Sequence, residues 1–349
     1  MEYLDAFNTP ISRQNKFDFF DLRYMFENNM IFGAPYANEC TFQKIKDIGA
    51  IEKESPETIK DFTVANMQSG GVRCRFHTSS KRIVIKAELV RKFSIFKMCL
   101  CGSSGFDIYA VNGRERKHIT AVGPSEPYNI FADIIELPCE GDYEIFFPLY
   151  NQILNINIGV DKGSVFDNAK SQLDKRYIIF YGHSATQGAS ASRSGNSYPN
   201  IVARKLNQDI FNYSFSGACR AEISMAEQIA SAHKAEDVGA IVVDYNRNAY
   251  TVTEFSNRYL PFYNKLREFY PDTPIILVGA FMQPYYDERI VKYLEPAMQN
   301  GDNTVFIDLQ ELFSGIEPLS LTMDKLHYTD KGMFMIANKI CELLPQFNK

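Results

Sequence analysis

Tryptophan is missing altogether from the 349 residues, and there are only five histidines. So little imidazole leaves few ways to assemble a metal site or a general base. Long apolar runs are also missing. None approaches the ~18–20 residues that a bilayer span needs, and candidates such as Ile275 to Met282 are strand-sized, so no membrane span is expected. A surplus of basic charge is missing: 37 Lys and Arg stand against 42 Asp and Glu, for a net charge of −5, which argues against a general nucleic-acid binder. The seven cysteines include no C-x-x-C pair and cannot all pair with one another, so we expect reduced, mostly buried thiols rather than a zinc site or a disulfide framework. Neither G-x-x-x-x-G-K-[ST] nor G-x-G-x-x-G occurs, which removes the common phosphate cradles. Residues Met1 to Asn8 lack the basic and apolar regions of a secretory signal, and a cytoplasmic location is the expectation.

What is present falls into two halves. From Val72 to Leu89 apolar and polar residues alternate on either side of a polar turn, the period of half-buried strands. Short stretches at Gly105 to Val111, Tyr143 to Pro148 and Ile153 to Val160 continue the pattern, separated by turn formers such as Asn112-Gly113 and Glu140-Gly141-Asp142. A sandwich or jelly roll follows from this grammar. Beyond the polar stretch Asp161 to Arg176, strands and helices alternate. Strands are expected at 177–181, 210–213, 239–243, 275–280 and 305–308, and helices at 198–206, 223–233, 255–269 and 330–344. That order predicts a parallel sheet with helices on both faces. The expected organisation is a β-sandwich domain over 1–165, a linker over 166–176 and an α/β domain over 177–349.

Four stretches could carry chemistry. Tyr177-Ile178-Ile179-Phe180-Tyr181-Gly182-His183-Ser184 ends the first parallel strand on a glycine and presents the Ser184 hydroxyl at the edge where open α/β sheets bind ligands. Asp324-Lys325-Leu326-His327 puts a carboxylate three residues before an imidazole, close enough for one loop turn to pair them as a general base and its orienting acceptor. Acyl transfer also needs donors for the oxyanion, and two follow successive strands: Gly217 after the second, and Asn246 or Asn248 after the third. His77, His118 and His233 have no partners at metal-ligand spacing and read as structural or exposed.

In chain order, Ser184, Gly217, Asn248, Asp324 and His327 resemble the SGNH (GDSL-like) hydrolases. The similarity is greatest to a subgroup whose serine block reads Gly-Ser-Ser-Ile-Thr-Gln-Gly. Gly105-Phe106-Asp107-Ile108-Tyr109 is similar to the Gly-x-Asp-Leu-Tyr signature of the β-sandwich that precedes the catalytic domain in that subgroup. The resemblance implies a three-layer, flavodoxin-like α/β hydrolase domain behind a sandwich, and a serine esterase that uses no cofactor or metal. It implies Ser184 as nucleophile, His327 as base and Asp324 as its orienter. The Ser184 and Gly217 N–H groups and the Asn248 amide would form the oxyanion hole. It aligns Asn248 rather than Asn246 with that role. The absence of G-x-S-x-G disfavours the separate α/β-hydrolase family. Three positions depart from the pattern: His183 stands where the wider family has Asp, Tyr328 where Pro is usual, and Ala249 where the subgroup tends to have Met. His183 could alter access, offer a second proton acceptor or simply pack. The expected partner is a small ester, an acylated carbohydrate among them. Acyltransferase and inactive carbohydrate-binding readings stay open, and the oligomeric state cannot be read.

Overall fold

The alternating segments of the first half build two antiparallel sheets. One runs in the order β1 (Phe17–Asp21), β9 (Ile153–Asp161), β4 (Arg82–Leu89), β7 (Ile130–Glu136). The other runs β10 (Phe166–Asn168), β3 (Arg73–Thr78), β8 (Gly141–Phe146), β5 (Phe106–Asn112), β6 (Glu115–Val122), with β2 (Ile31–Phe32) beside β3. The computed structural model describes residues 16–90, 97–125, 129–299 and 301–344. Inward residues of both sheets, among them Phe76, Ile83, Ile85, Ile108, Ile145 and Ile158, share one apolar core, as a sandwich requires.

The second half forms a five-stranded parallel sheet ordered β12 (Gln208–Ser214), β11 (Asp174–Gly182), β13 (Val238–Asp244), β14 (Ile275–Val278), β15 (Thr304–Ile307). This 2-1-3-4-5 order is the flavodoxin-like one, with its switch point beside the first strand. Both faces are apolar, as a sheet covered on two sides requires. Twelve α-helices are described: α1 (Leu22–Glu27), α2 (Ile48–Glu54), α3 (Ile59–Asn66), α4 (Leu100–Ser104), α5 (Ser184–Gln187), α6 (Tyr198–Leu206), α7 (Ile223–Ala232), α8 (Val252–Phe269), α9 (Pro284–Gln299), α10 (Leu309–Leu312), α11 (Pro318–Leu321) and α12 (Asp330–Leu343). Helices α7, α8 and α9 pack on the face that carries Ile179, Tyr213 and Ile241. Helices α6 and α12 pack on the face that carries Ile178, Phe180 and Val242.

The structure departs from the sequence expectations in four places. Strand β3 is buried at all six positions rather than half of them. Its polar face is closed by its sandwich neighbour β8 together with the hydrolase half: Arg73 Nε lies 2.7 Å from Glu144 of β8, while its Nη1 lies 3.1 Å from Asp209 and its Nη2 donates to the Gln208 carbonyl at 2.9 Å, both of β12. Helices α2 and α3 lie early in the chain, within the stretch expected to be sandwich, yet Ile51, Phe62 and Ala65 share a core with Tyr213, Ile229 and Phe255 of the α/β layers. Glu54 accepts from the first N–H groups of α7, Ile223 and Ser224, each at 2.8 Å, which caps a helix 170 residues away with a negative charge. The segment expected as a linker carries β10 and the start of β11. The cysteines are all free, but only Cys74 and Cys219 are buried, whereas Cys40, Cys99 and Cys139 are exposed. Among the described residues no helix is long and apolar enough to cross a membrane.

Candidate active site

The β11 strand must stop abruptly to aim Ser184 outward, and Gly182 makes that stop possible. A Cβ at 182 would press into Thr186 Oγ1 and lie 2.6 Å from the Asp244 carbonyl oxygen. Next comes His183, which occupies the N-cap of the short helix α5 and accepts from the Ala185 N–H through Nδ1 at 3.1 Å. An accepting Nδ1 places the ring proton on Nε2, which lies 3.0 Å from Asp244 Oδ1. The accepting nitrogen is thus committed to the backbone, Nε2 faces a carboxylate, and the imidazole is 1% exposed. The other Asp244 oxygen accepts from Thr186 Oγ1 and Tyr198 OH, each at 3.1 Å. Position 183 therefore packs and caps; it does not offer Ser184 a second base.

The loop from Thr322 to Tyr328 closes through a β-bridge between those two residues and a hydrogen bond from the Met323 N–H to the His327 carbonyl at 2.9 Å. Inside the loop, Asp324 Oδ1 accepts from the N–H groups of Leu326 at 3.0 Å and His327 at 2.8 Å. Its Oδ2 lies 2.9 Å from His327 Nδ1, and His327 Nε2 lies 2.7 Å from Ser184 Oγ. The Asp–His–Ser relay is thereby complete, at distances suited to proton transfer. Burial pushes the Asp324 carboxyl up, but the Lys97 ammonium, the His327 N–H groups and the imidazole outweigh that and hold it well below the usual carboxylate range. Burial lowers the His327 imidazole, Asp324 opposes the shift, and His183 and Lys97 add to it. The net result is a neutral, accepting Nε2 at neutral pH.

The three strand ends are level, because Gly182 pairs with Ser214 on one side and Asp244 on the other. Gly217 follows β12 with φ +76°, a conformation that favours glycine. After β13 the two asparagines divide. Asn246 is fully buried and donates through Nδ2 to the Val278 carbonyl at 3.1 Å, a structural tie. Asn248 Nδ2 is buried and has no hydrogen-bond partner among the described residues. A buried donor left unmatched in the free protein is ready for an acceptor that arrives with a ligand.

The sandwich also reaches this site. Tyr150 donates to the Ser184 carbonyl at 2.9 Å, and Lys97 Nζ lies 2.8 Å from Asp324 Oδ2. The Gly-x-Asp signature joins the two halves. Fully buried Asp107 accepts from the Gly195 N–H at 3.0 Å and Arg193 Nε at 3.1 Å, clamping a hydrolase loop onto β5. Sequence reasoning missed Lys97 and Tyr150, whose partners lie far away in the chain, and it assigned no role to Asp244. The other histidines are structural. His77 pairs with Asp142 at 2.9 Å and His118 with Asp107 at 2.7 Å, while His233 sits between Tyr213 and Tyr177, lowered to about 4 by burial. Among the described residues no three His, Cys, Asp or Glu side chains are grouped so as to hold a metal ion.

Residues 175–345 match the GDSL-like lipase/acylhydrolase family, and residues 28–166 match the GxDLY N-terminus of SGNH-hydrolase-type esterases. Among solved structures, the chain is similar to a protein from Bacteroides ovatus described as a GDSL-like lipase, with 20% identity over 95% of this chain and 98% of that one and a TM-score of 0.79. It is similar to the salicylyl-acyltransferase SsfX3 of a tetracycline biosynthetic pathway, with 18% identity over 91% and 94% and a TM-score of 0.69. It is also similar to the acetyl xylan esterase Est2A of the rumen bacterium Butyrivibrio proteoclasticus, with 12% identity over 95% and 98% and a TM-score of 0.57. At these identities the likeness is one of fold. No curated protein matches the chain in sequence.

Proposed function

We infer that the chain, matched over residues 175–345 by the GDSL-like lipase/acylhydrolase family and over residues 28–166 by the GxDLY N-terminus of SGNH-hydrolase-type esterases, is a carboxylester hydrolase of that kind. From that premise we propose that Ser184, His327 and Asp324 form its catalytic triad, with the Ser184 and Gly217 N–H groups and the Asn248 side chain as its oxyanion hole. The observation that carries the proposal is the unbroken relay from Asp324 Oδ2 to His327 Nδ1 at 2.9 Å and from His327 Nε2 to Ser184 Oγ at 2.7 Å. His327 takes the Ser184 proton as Oγ attacks the ester carbonyl, and the carbonyl oxygen becomes an anion facing the three donors. As the tetrahedral adduct collapses, His327 returns the proton to the leaving alcohol and the acyl group stays on Ser184. Water then enters, His327 takes its proton, and a second adduct releases the acid and restores the hydroxyl. Asp324 stays ionised throughout and steadies the imidazolium.

For substrate we propose a small acyl ester, an acetylated carbohydrate first among them. The fold shared with an acetyl xylan esterase supports this, and so does a sandwich that touches the triad rather than standing apart from it. An alcohol other than water as acyl acceptor is the second reading, supported by the fold shared with an acyltransferase. The decisive experiment measures hydrolysis of p-nitrophenyl acetate and of acetylated xylo-oligosaccharides by wild type and Ser184→Ala, with fluorophosphonate labelling mapped by peptide mass. A loss of about 10³-fold or more in the variant and a label on Ser184 are expected. An unchanged rate in the variant would refute the triad. Product partition between water and added alcohols distinguishes hydrolase from transferase.

A further inference from the structure

In the triad reading, Asp324 supports His327 alone, yet its Oδ2 also carries Lys97 Nζ at 2.8 Å, 227 residues away in sequence and presented from the sandwich half. We propose that Lys97 is a positioning residue of the triad: it locks the Asp324 carboxylate and tunes the basicity of His327 across the domain boundary. The inference rests on the role given to His327 and Asp324 above.

Exposed ion pairs usually contribute little, because two long side chains must be ordered for an attraction that water and salt screen strongly. This pair is different in kind. The Asp324 side chain is only 10% exposed and is already fixed by two backbone N–H groups and the imidazole. Lys97 is 50% exposed at its side chain but held at its backbone, whose carbonyl accepts from Ser190 Oγ at 3.0 Å, three residues past the nucleophile helix. Its neighbour Met98 packs on Leu149, Tyr150, Ala189 and Ala191. Gly102 of α4 sits so close to the Ala191 carbonyl that no Cβ would fit between them. The ammonium is therefore presented from a seam that is tightly packed on both sides.

The charge has a direct consequence for the base. The ammonium and His327 Nδ1 bond the same oxygen at 2.8 and 2.9 Å, which puts them within about 6 Å of each other. A unit charge at that separation in a medium between protein and water moves an imidazole by about half a unit to one unit. Asp324 favours the imidazolium; Lys97 and His183 disfavour it. Other charges near the loop are Lys325 within it, Arg247, whose guanidinium lies on the Lys325 carbonyl at 3.5 Å, and the Asp244 and Asp287 carboxyl groups, which act with Arg247 on Tyr328 at the loop's end. With Lys97 in place, His327 stays neutral and able to accept a proton at lower pH than Asp324 alone would allow.

The test follows the His327 Cε1–H resonance through a pH titration by NMR at low salt, assigned by its loss in His327→Gln. Wild type, Lys97→Met and Lys97→Arg are compared, with circular dichroism to verify that each is folded. The expected result is a midpoint raised by about half a unit to one unit in Lys97→Met, and unmoved in Lys97→Arg, which keeps the charge. Added salt should move the wild type toward the Met variant. The acidic limb of kcat/KM should move with the midpoint. Superimposable titrations of wild type and a folded Lys97→Met protein would overturn the proposal. Because the titration needs no turnover, it still decides on Lys97 if Ser184→Ala proves the nucleophile assignment wrong.

Discussion

Asn248 and Asn246 stand two residues apart on one loop in different hydrogen-bonding surroundings, which makes their alanine variants a sharp pair. Asn248 Nδ2 is a buried donor without a partner among the described residues. If the carbonyl oxygen of the tetrahedral adduct is its partner, Asn248→Ala removes one oxyanion donor. Such losses reduce kcat by about 10²–10³, or about 2.7–4 kcal/mol of transition-state stabilisation. KM should stay within about threefold, since the ground-state ester hardly engages that donor. Stability should move the other way. An unmatched buried donor costs the resting protein about 1–3 kcal/mol, so deleting it should leave the urea midpoint unchanged or slightly higher. Asn246→Ala breaks the bond to the Val278 carbonyl and should cost about 1–2 kcal/mol while kcat falls far less than in the Asn248 variant. Steady-state kinetics on p-nitrophenyl acetate, paired with urea unfolding, read both axes. If Asn248→Ala keeps a third or more of wild-type kcat, or the two variants lose activity equally with equal stability, the assignment of the donors is wrong.

Three further outcomes follow. Gly182→Ala drives a methyl into Thr186 Oγ1 and the Asp244 carbonyl; it should cost about 1–3 kcal/mol by thermal unfolding and lower kcat as Ser184 is displaced, and a wild-type Tm would count against the close approach. His183→Ala leaves the Ala185 N–H without its cap and Asp244 without its imidazole, for about 1–3 kcal/mol, whereas His183→Asn should recover part of that by accepting the same N–H; equal losses in the two variants would contradict the capping role. Asp287 is raised to about 7 by burial, so protonation stabilises the fold. Relative to Asp287→Asn, wild type should lose stability as pH climbs from about 4 through 7, by up to about 4 kcal/mol; a difference between the two proteins that is the same at pH 4.5 and pH 8 would refute it.

Much of the α/β half was legible because its strands are buried runs bounded by turn residues, a strong local signal. Helix α6 was expected at 198–206 and lies at Tyr198–Leu206, and each of the five strands lies within a few residues of its expected place. Helix α9 was not anticipated: Tyr285 to Glu295 mixes charges and aromatics, and Pro296 interrupts the pattern. In β3 the period of two was visible but the environment of its polar face was not, since Arg73 and Arg75 are neutralised by Glu144 and Asp209, groups remote in sequence. The same divide runs through the site. Asp324 and His327 declared themselves by a spacing of three, and Ser184 by following a strand. The clamp of His183 on Asp244 and the bond of Lys97 to Asp324 exist only once strands and loops have been brought together.

Helices α2 and α3 have a consequence for how the chain is made. Glu54 waits for Ser224, Ser55 for Glu222, and the Glu54 carbonyl for Arg258, 204 residues later. At about 5–20 residues per second, a ribosome takes on the order of 10–40 s to supply that partner. During that interval Ile51, Phe62 and Lys44, buried in the finished protein, have no completed core to enter. The sandwich strands find their strand partners within the first half of the chain, but this early segment cannot finish folding until most of the chain has been synthesised. It is therefore the stretch where a nascent chain would be expected to recruit a chaperone, and where a separately expressed C-terminal half would show an exposed apolar face.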